Sequence, residues 1–423
     1  LDLEVALRLA GVENPTINLA REAVREALAE QLGARSLLLP SVNVGGNYRR
    51  HTGALLAAPG FVRTADFDSL YLGAGAGVLG TGTAAVPGVR LFAHLGDAAY
   101  EPLAARQRVT VRRSEAGAVH NAVLLDVAAR YLELIGAEAR LAVLLRAEAD
   151  LAEVVRLTAE HARVGQGRRA DENRARANLD LLRNDLRRAE EEVGVASARL
   201  CRLLNLDPST RLRTPGGGVR PLRLVPEDAD VEALIAQALG ARPELLARSA
   251  AVAEAQTRTR QERVRPFLPL VSVGYSAGGF GGSVTSSDFG SLGGRSEFDV
   301  TAVWTVQNLG LGNRARVRAA DANVGAAIAA YDLAANQVRR EVAEAAAAAR
   351  TAATQIKTAE TALAAAEDGF ALEMERIKQG RWRPIEVLDS FRQLVESRQE
   401  LLRAVVGFNV AQFRLFVAVG NAP

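Results

Sequence analysis

Two acids near the end of the chain are the first candidates for a chemical role. Glu386 and Asp389 stand three residues apart just past a glycine-containing turn, within Pro384-Ile385-Glu386-Val387-Leu388-Asp389. On a helix that spacing puts both carboxylates on one face. Acids also favour a helix N-terminus for dipole reasons alone, so the spacing leaves a structural and a functional role open. Gly75, Gly77 and Gly80 spell G-x-G-x-x-G after an apolar run, the pattern of a dinucleotide-binding turn. The pattern runs on into Thr81-Gly82-Thr83-Ala84-Ala85-Val86-Pro87-Gly88 rather than into a helix. A phosphate would meet no helix N-terminus there, and glycines of a strand hairpin account for the pattern better.

Other chemistry has few carriers. Cys201 is the single cysteine, which excludes an internal disulfide framework, and it sits in a helical stretch, Leu200-Cys201-Arg202-Leu203, as a small apolar residue. The four histidines, His51, His94, His120 and His161, are too dispersed for a ligand pair on one helix face. No serine, histidine and acid set forms a nucleophile motif. The sequence therefore predicts no metal, no cofactor and no catalysis. Its 52 basic and 49 acidic side chains leave a net charge of only +3, which argues against nucleic acid as the main partner.

The elements that must position the two acids come in a repeat. Pro15 opens an amphipathic stretch ending at Leu39-Pro40, followed by Ser41-Val42-Asn43-Val44-Gly45. Pro243 opens a similar stretch ending at Leu268-Pro269, followed by Leu270-Val271-Ser272-Val273-Gly274. Arg163-Val164-Gly165-Gln166-Gly167-Arg168 is echoed by Arg376-Ile377-Lys378-Gln379-Gly380-Arg381, and Ala196-x-x-Arg199-Leu200 by Ala411-x-x-Arg414-Leu415. From Pro40 to Gly167 the first half takes 127 residues, and from Pro269 to Gly380 the second takes 111. This order predicts a first repeat over 1–205, a linking region over 206–240 with a short helix from Glu227 to Leu239, and a second repeat over 241–423. Each repeat reads as helix, strand hairpin, very long helix, tight turn and helix. The hairpins are expected near 41–98 and 270–308, and the last helices over about 169–204 and 384–419.

The strands after Pro40 and Pro269 alternate. Val42, Val44 and Tyr48 fall on one face against Ser41, Asn43 and Asn47, and Val271, Val273 and Tyr275 oppose Ser272 and Gly274. Return strands are expected around Val89 to Leu95, Leu70 to Val78 and Phe298 to Val306. An apolar-out, polar-in pattern with aromatic residues near the strand ends fits a lipid-facing barrel wall, though an ordinary half-buried sheet alternates in the same way. No apolar run approaches the roughly 20 residues of a membrane helix, so a spanning role would require a barrel. From about Pro102 to Arg163 and from about Asn313 to Gln379 the chain predicts helices about 90 to 100 Å long, at 1.5 Å per residue. Leu124, Ala128, Tyr131, Ile135 and Ala139 mark one seam, and Leu125, Val127, Leu132 and Leu134 a second. Two seams imply two helical neighbours, as in a wall of helices.

These features together resemble the TolC-like outer-membrane efflux proteins over essentially the whole chain. The resemblance rests on the duplicated helix, Leu-Pro and strand junctions, on the paired glycine turns and on the Pro384 to Asp389 run. It implies a mainly α fold with membrane β: a homotrimer whose subunits each give four strands to one 12-stranded outer-membrane barrel, continuous with a long periplasmic helical barrel. It further implies that Glu386 and Asp389 line an acidic constriction at the periplasmic end. The turns at Gly165, Gln166, Gly167 and at Lys378, Gln379, Gly380 become docking tips for a periplasmic adaptor, and through it an inner-membrane pump. The expected location is the outer membrane of a Gram-negative-type bacterium, in contact with its lipid and extending into the periplasm. The expected function is a passive exit duct for small molecules or peptides in tripartite efflux or type I secretion. A periplasmic coiled-coil adaptor or scaffold is the alternative, but the biotinyl-lipoyl-like domains it requires are not recognisable. The chain starts at Leu1 with no signal-like segment, and so reads as processed or cropped.

Overall fold

The prolines that punctuate the sequence mark the corners of the fold. The computed structural model describes residues 1–56, 60–76, 86–165, 167–216, 218–283, 293–379 and 384–423. Within these the order is α1 (Leu3–Glu13), α2 (Pro15–Arg35), β1 (Ser41–Val42), β2 (Val44–Leu56), β3 (Val62–Ala76), β4 (Val86–Pro87), β5 (Val89–His94), α3 (Leu95–Arg163) and α4 (Arg169–Leu203). The second half runs α5 (Val231–Ala241), α6 (Pro243–Val264), β6 (Leu270–Ser283), β7 (Gly293–Val303), α7 (Leu311–Lys378) and α8 (Pro384–Ala418). Pro15 and Pro243 are the first residues of α2 and α6, where a missing N–H leaves no helical bond unmade. Short 3-10 turns, Ser36–Leu38 and Arg265–Phe267, close the stretch before each strand.

The duplication reaches further than the sequence echoes. Helices α1 and α5 are both 11 residues long, and each is capped by an aspartate: Asp2 accepts from the Val5 N–H at 2.7 Å, and Asp230 from the Ala233 N–H at 3.2 Å. Each cap satisfies one of the otherwise unpaired first-turn donors. The long helix α3 starts directly from β5 at Leu95 and carries Pro102 inside it, rather than beginning at that proline. It therefore continues past a missing backbone donor, a cost its packing must offset.

Contacts divide the chain into two compact units. One comprises Leu1–Val24, Arg112–Arg248 and Tyr331–Pro423; the other comprises Arg25–Val111 and Ser249–Ala330. The first is helical, and its buried residues form separate clusters along the helix faces. Val338, Val342, Ala346 and Ala349 of α7 pack with Phe408 and Leu415 of α8 and with Leu234 and Ala238 of α5. Leu144, Leu151 and Val154 of α3 pack with Leu179, Leu182 and Leu186 of α4 and with Leu388 and Phe391 of α8. Full burial of each such leucine or phenylalanine contributes about 1.5–3 kcal/mol. Over Ile385–Ala418, α8 is long and apolar enough to pass for a membrane-crossing segment, although no such run was expected; half of its most apolar stretch is buried inside the protein, so core packing accounts for it.

The burial pattern fixes how the two halves correspond. Val127, Tyr131 and Leu134 in α3 are buried, and so are Val342, Ala346 and Ala349 in α7, each 215 positions later. The same displacement separates the ends of α3 and α7 and the starts of α4 and α8. Gly165 therefore corresponds to Gly380, not to Lys378 as the Gln-Gly-Arg echo suggests. The echo is two residues out of structural register.

The second unit holds the sheet. Six of its seven strand segments form four columns, β1 with β2, β3 with β5, then β6, then β7, and the two-residue β4 pairs with the end of β3. Strands β3 and β5 take successive stretches of β6, pairing with Ala277 to Ser283 and with Leu270 to Tyr275. All pairings are antiparallel. Where β3 of the first repeat meets β6 of the second, Gly73 faces Gly278, and a Cβ on Gly278 would come within 2.6 Å of the Leu72 carbonyl oxygen. Glycine is needed there for the close approach of the two backbones.

Candidate pore-lining and docking sites

The expected alternation of the strands is carried across the sheet by its register. Tyr48 pairs with Leu70, Val89 with Tyr275, Val273 with Leu91 and Val300, and Tyr275 with Phe298. Directly opposed residues share a face, so Val42, Val44, Tyr48, Leu72, Val273, Tyr275, Phe298 and Val300 belong to one apolar surface spanning both repeats. Several of these are well exposed, among them Val44 at 80%, Phe298 at 69% and Val300 at 61%. Apolar side chains left open on one continuous sheet face are the arrangement of a wall that meets lipid. The opposite face carries Asn47, Ser69, Ser272 and Thr301. Sequence alternation identified the start of this polar face, but its later members appear only once cross-strand pairing is known.

The turn between α3 and α4 is closed by glycine. Gly165 lies in the left-handed region at φ 77°, and the N–H groups of Val164, Gly165 and Gly167 donate to the carbonyls of Glu160, Ala162 and His161 at 3.2, 3.3 and 3.0 Å. This satisfies the last carbonyls of α3 and lets the chain reverse. A Cβ on Gly167 would sit 3.2 Å from the Ala162 nitrogen. At the other turn Lys378 and Gln379 are exposed, and the Gln379 N–H donates to the Glu375 carbonyl at 3.2 Å. Ile377, fully buried, anchors the end of α7 in the core. Gln166 and Gly380 lie outside the described residues, as do Gly77 and Gly80 of the glycine pattern.

The first turns of α8 sort their side chains sharply. Val387 and Leu388 are buried beside Phe391 and Ile377, while Glu386 and Asp389 lie on the exposed face. Asp389 is 65% exposed and stands 3.7 Å from Arg392, one turn along. In the corresponding turn of α4, Asp171 and Glu172 are 19% and 16% exposed, with Arg174 and Arg176 at 3.9 and 2.5 Å. By the structural register Glu386 corresponds to Asp171 and Asp389 to Arg174. The counterpart of Glu386 is therefore also acidic, but it is more enclosed, and the matching second position carries a cation.

Among the described residues no group of three or more His, Cys, Asp or Glu side chains is arranged to hold a metal ion. Cys201 is buried, its sulfur donates to the Thr210 carbonyl at 3.4 Å, and burial pushes its thiol pKa up. That environment suits a packing residue rather than a nucleophile.

The chain thus joins a sheet with one apolar and one polar face to a duplicated set of long helices. Residues 234–421 match the family model described as outer membrane efflux protein. No curated protein sequence matches the chain significantly. Among solved structures, a membrane protein from Pseudomonas aeruginosa is similar at TM-score 0.79 and 21% identity, over 99% of this chain and 93% of that one. The Campylobacter jejuni CmeC outer membrane channel is similar at TM-score 0.78 and 16% identity, over 99% and 85%. The open state of the Neisseria gonorrhoeae MtrE outer membrane channel is similar at TM-score 0.76 and 20% identity, over 99% and 89%. The resemblance to TolC-like outer-membrane efflux proteins therefore stands, in fold over nearly the whole chain and in sequence over residues 234–421. It favours the channel over the adaptor alternative.

Proposed function

We propose that three copies of this chain close a 12-stranded barrel and act as the passive exit duct of an efflux or type I secretion system, carrying small molecules or peptides across the outer membrane. The observation that carries this reading is the apolar face that runs from the first repeat into the second, bounded by two open edges. Among the described residues no further strand pairs with the outer edges of β2 and β7, which are 13 and 11 residues long. Unpaired backbone facing lipid is strongly unfavourable, and closure with neighbouring copies removes it. Four columns per chain give twelve in a trimer.

The remaining roles derive from the family resemblance. The turns at Gly165, Gln166, Gly167 and at Lys378, Gln379, Gly380 dock a periplasmic adaptor that links the duct to an inner-membrane pump. Glu386 and Asp389, repeated by symmetry, form two carboxylate rings that favour cations at the constriction. The pump supplies the energy, and the duct itself catalyses nothing. Purification in detergent with measurement of mass, followed by planar-bilayer recording, tests the assembly. A detergent-requiring trimer with discrete conductance is expected, and a soluble monomer would overturn the proposal.

A further inference from the structure

The repeat leaves equivalent faces of the helical unit unequally covered. Inside the chain the two repeats meet where α3 lies on α8. Ala128 and Leu132 of α3 cluster there with Phe413 of α8, and Val406 and Val410 pack against them. Ala128, Leu132 and Phe413 are buried, at 0%, 2% and 6% exposure. A Cβ on Gly136 would stand 4.0 Å from the Val406 Cβ, so the two helices touch closely at this point.

Each position in this seam has a counterpart 215 positions away, the displacement that relates α3 to α7 and α4 to α8. The counterparts of Ala128, Leu132 and Gly136 are Ala343, Ala347 and Thr351 of α7, and all three are exposed. Those of Val406, Val410 and Phe413 are Glu191, Val195 and Ala198 of α4. Glu191 is exposed, Val195 is 41% exposed and Ala198 is half-buried. On α4 they lie opposite the side that packs on α3 through Leu179, Leu182 and Leu186. On α7 they lie opposite the side that packs on α8 through Val342, Ala346 and Ala349. The chain therefore leaves one half of a helix seam open on α7 and the other half on α4, while its own α3–α8 contact shows how such halves fit. A contact between unlike surfaces of identical copies is head-to-tail, the kind that closes into a ring.

We propose that α7 of one copy packs on α4 of the next in the register of the α3–α8 seam, with Thr351 against Glu191 and Ala347 against Val195. The proposal rests on the trimeric reading and adds which helices meet and at which residues. The same geometry carries different chemistry in the two settings. Valine against glycine inside the chain becomes glutamate against threonine between copies, where the Thr351 hydroxyl donates to the Glu191 carboxylate. Ala347 stands where α3 has leucine, which gives the α4 side chains of the next copy a shallower surface to lie on.

The test is disulfide trapping in the full chain, purified in detergent in a Cys201→Ser background. Glu191→Cys with Thr351→Cys sets two thiols at the Cβ separation a disulfide takes, and copper-phenanthroline oxidation is expected to shift the monomer band to covalent dimer and trimer. Val195→Cys with Ala347→Cys, one turn along, gives the same ladder and guards against a local disturbance at Glu191. Glu191→Cys with Thr358→Cys, two turns out of register and about 10 Å too far along the helix, stays monomeric. Gly136→Cys with Val406→Cys loses its thiols without gaining mass, as a link inside one chain must. Linkage of either seam pair but not of the shifted pair sustains the register. A trimer by mass in which both seam pairs stay reduced, or in which the shifted pair links as readily, overturns the inference alone. Unsubstituted protein that runs as a monomer overturns the trimeric reading beneath it.

Discussion

The two repeats tie the same corner with different chemistry. Asn14, just before Pro15, donates to the carbonyl of Leu203, the last residue of α4, at 2.7 Å. Arg242, just before Pro243, reaches the carbonyl of Ala418, the last residue of α8, at 3.4 Å. The first corner is a buried neutral amide that also caps α2 through the Thr16 N–H. The second is a guanidinium, 12% exposed, held by Glu244 and Glu341 at 3.0 and 2.8 Å. The duplicated geometry survived while its chemistry diverged, so geometry at this point is the more constrained property. The linking region obeys the same rule. Ser197 of α4 accepts from the Leu212 N–H at 2.8 Å, while Gln412, its counterpart in α8, accepts from the N–H groups of Leu224 and Val225 at 3.1 and 2.9 Å.

The corners provide the largest expected effect. Arg242→Ala leaves two carboxylates without their cation and is expected to cost about 3 kcal/mol, against about 1 kcal/mol for Asn14→Ala. Denaturant midpoints compare them, and equal losses would show that the ion pairs add nothing to the corner. Gln412→Leu strips two backbone donors of their acceptor and is expected to cost about 2 kcal/mol, whereas Ser197→Ala costs about 1 kcal/mol. Hydrogen exchange at Leu224, Val225 and Leu212 reads both changes locally.

The tips sharpen the comparison in conductance rather than stability. Glu386→Gln with Asp389→Asn is expected to lower cation selectivity severalfold, while Asp171→Asn with Glu172→Gln changes it less, because those acids are more enclosed and lie beside arginines. Unchanged reversal potentials in the first variant would remove the proposed constriction.

The smallest effect concerns two acids beside the same arginines. The hydrogen bond from Arg258 holds Glu101 of α3 below the usual carboxylate range, whereas burial pushes Glu254 of α6 up despite Arg108 and Arg258. Folding therefore favours ionised Glu101, whose contribution is full above its unfolded pKa and is lost as pH falls through the depressed value. Folding favours protonated Glu254, so stability declines as pH rises from its unfolded pKa through the raised one. Glu254→Gln is expected to raise the melting temperature at pH 7 by on the order of 1 °C, and Glu101→Gln to lower it. Both differences should fade in acid, and melting curves across pH 3 to pH 8 check the signs.

Much of this was legible from local pattern. The alternation at Val271, Val273 and Tyr275, the helix starts at Pro15 and Pro243, and the common face of Glu386 and Asp389 are all short-range properties of the chain. What was hidden depends on distant partners. Nothing near Asn14 announces Leu203, and nothing near Arg242 announces Ala418. The Gln-Gly-Arg echo misled by two residues because turn residues face few packing constraints, while the buried positions of α3 and α7 preserve the true register. Pro102 suggested a helix start because a lone proline carries no sign of the packing that keeps it interior. The polar sheet face needed pairing across four columns before its later members, Ser69 and Thr301, could be seen together with Asn47 and Ser272.

The two open edges of the sheet also constrain how the protein is made. In the proposed membrane setting, a lone subunit would bring two rows of unmatched amide and carbonyl groups into hydrocarbon, an arrangement too costly to persist. Insertion and self-association are then one event rather than two. Before it, the strands need shelter from premature pairing, so the rate at which copies meet would govern biogenesis as much as the stability of any single copy.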